Sequence, residues 1–159
     1  MGFMSDSEFA TGPRPYHDLA VLLLAASAAA TDTIHAGTQA AGFTDLRPTH
    51  GFVFARLAPH GATVGEIADY LGVTKQAASQ LVEELVRKGY AERNAHPNDA
   101  RARLITLSEK GWSCTRAADA AAADFANQWA AILGESTVTE LRNALTRVVT
   151  LGRVRPTSW

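Results

Sequence analysis

The stretch from Thr63 to Gly89, TVGEIADYLGVTKQAASQLVEELVRKG, constrains the fold more than any other part of the chain. Thr63 and Glu66 stand at the spacing of a capping box, in which a hydroxyl and a carboxylate satisfy backbone donors left open at a helix start. A short helix ending at Leu71 is therefore predicted. Gly72 then offers a position that tolerates positive φ, and Thr74 can cap a second helix that continues to Lys88 before Gly89 stops it. Two helices separated only by LGVT result. On the second, Ala78, Leu81, Val82 and Leu85 form an apolar stripe, which leaves Lys75, Gln76, Ser79, Gln80 and Glu83 on the outer face.

After Gly89, YAERN and RLITL have strand character, with Leu104, Thr106 and Leu107 suited to pairing. They are separated by AHPNDA, whose Pro, Asn and Asp favour a loop, so a hairpin is expected. Helix, short turn, helix, hairpin is the order of a winged helix-turn-helix. In such a unit the second helix stands proud enough to enter a DNA major groove about 12 Å wide.

Long apolar helices flank this unit. Tyr16, Leu19, Leu23, Ala26, Ala30 and Ile34 recur at helical spacing, which predicts a helix ended by Gly37 and Gly42. Pro48 suits the first turn of a helix from Arg47 to Leu57. Ser108 can cap a helix to about Leu133 bearing Trp112, Phe125, Trp129, Ile132 and Leu133, and Gly134 breaks it. Ser136 or Thr137 starts the last helix, with Val138, Leu141, Leu145, Val148 and Val149 on one side. Residues 1–15, with Gly2, Gly12, Pro13 and Pro15, read as a flexible arm.

The block LAVLLLAASAAA over residues 19–30 fits the apolar part of an export signal. Its leader has the wrong sign, with Asp6, Glu8 and Asp18 against Arg14. As an apolar run it falls short of the roughly 20 residues that span a bilayer. Apolar on nearly every side and rich in Ala, it is expected to pack against a partner helix. A soluble, cytoplasmic protein with no membrane contact is the expectation.

Charge is unevenly placed. The chain carries a net charge of −1, yet residues 1–73 hold three cations and seven acids, whereas residues 74–110 hold seven cations and five acids. Positive charge is thus concentrated on the helix-turn-helix and wing, which is weak support for nucleic acid. Cys114 is the one cysteine, so no intramolecular disulfide and no cysteine zinc cluster can form. A structural thiol is expected rather than a redox sensor. No nucleophile elbow, phosphate loop, HExxH or HxxxH motif occurs, and the expectation is a protein without catalytic residues, metal or cofactor.

The run from LRPTHGFVF through VGEIADYLGVTKQAASQLVEELVRKGYAERNAHPNDARARLITLSEKG resembles the core of the MarR family, dimeric winged-helix regulators of transcription. The recognition region GVTKQAASQLVEELVRKGYAER and the wing DARARLITLSEKG are its most specific pieces. The terminal helices resemble the family's dimerisation helices by position. The resemblance implies a mainly α fold with a small β-hairpin. It divides into a 1–15 arm, a 16–46 dimerisation helix and linker, a 47–110 DNA-binding domain and 111–159 dimerisation helices.

By the same resemblance, Thr74, Lys75, Gln76, Ser79 and Gln80 occupy the groove-facing start of the recognition helix. Gln can bond adenine bidentately, Lys can bond guanine or phosphate, and Ser either base or backbone. In the wing, Asp99 followed by Arg101 matches a family hallmark. The Arg enters a narrow minor groove, and the Asp orients it or its neighbours. Ala100 stands where many members have a cation. Arg93 and Arg103 serve phosphates or a strand-to-helix salt bridge. His17, His35, His50 and Trp112 are candidates for lining a crevice that takes a small aromatic or phenolic ligand. The implied function is a homodimeric, ligand-responsive regulator, a repressor on a pseudo-palindromic operator. The alternative is a winged-helix module used for protein contacts without ligand sensing.

Overall fold

The computed structural model describes residues 17–58 and 60–149, without the side chains of His17 and Ala100; the expected arm over 1–15 lies outside them. Six helices and one hairpin follow in the order α1 (His17–Ala40), α2 (Pro48–Leu57), α3 (Val64–Leu71), α4 (Lys75–Arg87), β1 (Ala91–His96), β2 (Asp99–Leu107), α5 (Glu109–Leu133) and α6 (Glu135–Val148).

The helix boundaries have the local causes that the residue types suggested. Thr63 Oγ1 accepts from the Glu66 amide at 3.3 Å, while the Glu66 carboxylate accepts from the Thr63 amide at 2.7 Å. Gly72 closes α3 in the left-handed region at φ 68°, where a Cβ would be strained. Thr74 Oγ1 then accepts from the Ala77 amide at 3.1 Å and opens α4. Ser108 caps α5 through the Gly111 amide at 3.1 Å. α6 begins at Glu135, slightly ahead of the expected Ser136 or Thr137, because Gly134 at φ 87° takes the cap position itself.

Packing centres on the winged unit. The α4 stripe Ala78, Leu81, Val82 and Leu85 is buried as expected, against Val53, Leu57, Ile67, Leu71 and Ile105. Burial of Leu81, Val82 and Leu85 stabilises the fold by about 1.5–3 kcal/mol each, so this stripe fixes α4 firmly. Tyr90, just past α4, is 1% exposed and is flanked by Phe43 and Phe54 rings at 6.2 and 5.7 Å. Its hydroxyl donates to Asp45 Oδ1 at 2.6 Å and joins the linker before α2 to the end of α4.

The hairpin is longer than its sequence suggested. AHPNDA was expected to be the loop, but Ala95, His96 and Asp99 belong to the strands and only Pro97 and Asn98 turn. Register runs from Ala91↔Leu107 to Ala95↔Arg103 and then shifts, so that His96 faces Asp99. Ala100, Arg101 and Ala102 thereby bow out of the ladder on β2. A single-rung third strand, Ala62 with Ile105, ties the hairpin to the start of the helix-turn-helix, with bonds of 2.9 and 2.8 Å.

α1 departs from expectation in length. Gly37 does not end it; the helix continues to Ala40 and stops at Gly42, φ 97°. Gly37 is needed for approach to α5, since a Cβ there would meet Ala121 Cβ at 2.4 Å. This extension also corrects the estimate that the apolar stretch is too short for a bilayer. The segment Asp18–Ala40, 23 residues of hydropathy 1.5, is long and apolar enough by length and composition. The first half of α1 is exposed at Leu19, Val21, Leu22, Leu23 and Leu24, as are Ile132, Leu133 and Val148 on α5 and α6. No residue of α6 is buried.

Candidate nucleic-acid interface

Burying one side of α4 turns the other side outward. Thr74, Lys75, Gln76 and Gln80 are exposed and Ser79 is half-buried. Their roles are not equivalent. The Thr74 oxygen is occupied by the Ala77 amide, and Ser79 Oγ donates to Glu83 Oε1 at 3.3 Å. Glu83 in turn lies 3.8 Å from the Arg93 guanidinium, a strand-to-helix ion pair. Lys75, Gln76 and Gln80 have no hydrogen-bond partner among the described residues, leaving their donors and acceptors facing water.

In the wing, the Asp99 carboxylate accepts from the Arg101 backbone amide at 2.9 Å. Asp99 therefore fixes the backbone at Arg101 rather than gripping its guanidinium. Arg101 and Arg103 are both exposed, and Arg101 lies in the segment that bows out of the ladder. A cation carried on a bowed segment of a hairpin is well placed for the narrow groove of an A·T tract.

A cavity of about 430 Å³ lies between α1, the start of α2 and the first half of α5. Ile34, Leu46, Phe52 and Phe54 give it an apolar lining, while Thr38, Arg47 and Asp119 bring polar groups. Of the four residues expected in a crevice, the structure places one there, His35. Trp112 is 41% exposed on the first turn of α5 and does not line the cavity. The His17 side chain lies outside the described residues. Cys114 reaches the cavity wall, and burial pushes its thiol up to about 11, so it stays protonated at neutral pH.

His50 is fully buried and belongs to a different constellation. Its Nδ1 accepts from the Arg47 amide at 3.0 Å, which makes Nε2 the protonated nitrogen, facing Glu84 Oε2 at 3.3 Å. Burial holds the imidazole below its ordinary pKa, although Glu84 opposes this. Glu84, on α4, is a hub: it accepts from Lys88 Nζ at 2.7 Å and pairs with the Arg47 guanidinium. Lys88, then His50 and Arg47, bring the Glu84 carboxyl down to about 2. Lys88 also donates to the Asp45 carbonyl.

Sequence reasoning did not find this Arg47–His50–Glu84–Lys88 cluster. Only the i, i+4 spacing of Glu84 and Lys88 was visible in the sequence, and that spacing by itself denotes an ordinary solvated helix pair.

A family model described as the MarR family matches residues 44–102. No match is found among curated proteins. Solved structures match over most of the chain. Apo MarR from E. coli is 21% identical, with 83% of this chain and 97% of that chain covered and a TM-score of 0.66. A mutant MarR from E. coli, complexed with operator DNA, is 20% identical with a TM-score of 0.67, over 84% and 95% of the two chains. CouR from Rhodococcus jostii, bound to p-coumaroyl-CoA, is 21% identical with a TM-score of 0.66, over 83% and 92%. The winged-helix segment over residues 44–102 thus matches the MarR family model, and the described chain has the fold of the solved MarR structures.

Proposed function

We propose that this protein is a cytoplasmic, sequence-specific DNA-binding regulator of transcription that acts as a homodimer, most simply as a repressor. One observation carries the reading: the exposed, unengaged Lys75, Gln76 and Gln80 at the start of α4 stand in the same winged unit as the exposed Arg101 and Arg103. The helix side chains would read base edges in the major groove, with Ser79 contributing once Glu83 releases it. Arg101 would enter the minor groove, while Arg103 and Arg93 would meet phosphates.

Dimerisation accounts for the apolar surface. Leu22 and Leu24 on α1, Ile132 on α5 and Val148 on α6 are each at least 60% exposed in the single chain. Such surface on three helices calls for a partner, and a second copy would cover it while placing two reading heads on a pseudo-palindromic operator. The cavity beside α2 would take a small aromatic ligand whose preference for one spacing of the heads releases DNA. CouR, with the same fold, binds p-coumaroyl-CoA.

Selection of bound sequences from random DNA tests the reading. A recurrent pseudo-palindrome, bound with a steep salt dependence, is expected. Recovery of no sequence above background would refute it. Sedimentation should show a dimer, and a stable monomer would contradict the assignment of the apolar faces.

A further inference from the structure

Arg47 occupies two places at once. It lines the cavity between α1, α2 and α5, and its guanidinium pairs with Glu84 in the last turn of α4. We propose that Arg47 is a latch exchanged between the recognition helix and the ligand: a compact organic monocarboxylate in the cavity draws the guanidinium away from Glu84 and so unfastens α4 from the start of α2. The inference rests on the ligand-responsive reading above and assigns its regulation to named residues.

Charge and shape favour an acid. Among the described residues, Arg47 is the one permanent cation on the cavity wall and Asp119 its one carboxylate, so a single acid group is drawn to Arg47 and repelled by Asp119. The remaining lining is mostly apolar and suits a hydrocarbon body. A guanidinium and a carboxylate form paired, charge-assisted hydrogen bonds, so a ligand acid can match what Glu84 offers. The Arg47 side chain is 56% exposed, so it can turn without emerging from a buried site.

The exchange acts on α4 because Glu84 does not stand alone. With Arg47 in place, Glu84 is joined to residues before and within α2, namely Arg47 and the buried His50. With Arg47 withdrawn, Lys88 remains as a partner on the same helix, so Glu84 stays satisfied while its link to α2 is weakened. A bistable element results, with the cavity on one side and the reading helix on the other.

By linkage, ligand and Glu84 compete for Arg47, and this gives a signature that a purely structural ion pair lacks. Benzoate binding to the full-length protein is measured by calorimetry, beside benzamide as the uncharged counterpart and benzylamine as the cation that Asp119 would choose. Benzoate should bind in preference to both. Glu84→Gln should bind benzoate several-fold more tightly than the native protein, because the competing carboxylate is gone; Arg47→Met should lose that preference and retain benzamide binding. On selected DNA, benzoate should weaken binding of the native protein about tenfold, a usual size for such coupling, and have little effect on either variant.

Thermal melts establish that both variants fold, and Arg47→Met reports independently if Glu84→Gln is lost. Equal benzoate affinity in the native and Glu84→Gln proteins would overturn the latch while leaving the cavity a ligand site. A preference for benzylamine or benzamide would overturn the acid. Failure of all three to bind would remove both the latch and the ligand-responsive reading. The affinity comparison needs no DNA, so it stands apart from the test of DNA binding.

Discussion

Gly37 and Ala121 meet where α1 packs on α5, with no room between them for another methyl group: a Cβ on Gly37 would lie 2.4 Å from that of Ala121. Helix propensity alone says that Gly37→Ala should stabilise α1 by up to about 1 kcal/mol. Overpacking opposes this by about 1–3 kcal/mol, and at 2.4 Å it wins. Urea titration should therefore show Gly37→Ala less stable than the native protein. Gly37→Ala combined with Ala121→Gly should recover most of the loss.

Acid should loosen the fold in two stages. His50 has its pKa lowered by burial, so the fold holds it neutral; this stability is present above the ordinary pKa of 6.5 and is lost as pH falls below it. Glu84 has its pKa lowered from 4.5 to about 2, chiefly by Lys88, so its contribution is present above 4.5 and is lost as pH falls toward 2. Denaturation midpoints followed from pH 8 to 2 should fall in both windows. Glu84→Gln should flatten the lower window and leave the onset near neutrality.

Cys114 should resist alkylation. Its thiol is raised to about 11, so thiolate is scarce at pH 8 even though the residue borders the cavity. Iodoacetamide labelling should be at least about a hundredfold slower for the folded protein than in denaturant, since a rise of two pH units in pKa removes that share of thiolate. Comparable rates would mean that the α5 wall opens freely.

Arg101→Ala should weaken binding to selected DNA and lower the slope of log affinity against log salt by about one. Asp99→Ala should weaken binding less, because it frees the Arg101 backbone without removing the cation. An unchanged affinity and slope for Arg101→Ala would take the wing out of the interface.

Tyr90→Phe should destabilise the fold by about 1 kcal/mol, the usual net worth of one hydrogen bond, through loss of the bond to Asp45. The exposed Asp45 carboxylate can turn to water, so thermal melts should show a modest drop rather than unfolding.

What could be read from the sequence follows the range of the interactions involved. Thr63 with Glu66, Gly72, Thr74 and Ser108 act within three or four residues of themselves, and each marked its boundary correctly. The Ala78, Leu81, Val82, Leu85 stripe was legible for the same reason. Gly37 misled because its reason lies in Ala121, on a helix remote in sequence. The strand ends were missed because turn-forming Asn and Pro say nothing of how far pairing can reach around them. His50 reads as one more polar residue near a crevice; only the fold shows it facing Glu84 rather than the cavity. The exposed polar start of α4 was foreseen, whereas the engagement of Ser79 by Glu83 needs side-chain positions.

The single rung between Ala62 and Ile105 has a mechanical consequence. Its two backbone bonds, 2.9 and 2.8 Å long, fasten the hairpin next to the capped start of α3. Any tilt of the hairpin must therefore carry α3 with it, and α4 follows through the packed helix pair. The wing and α4 move as one unit, so that a displacement delivered at α2 reaches both together.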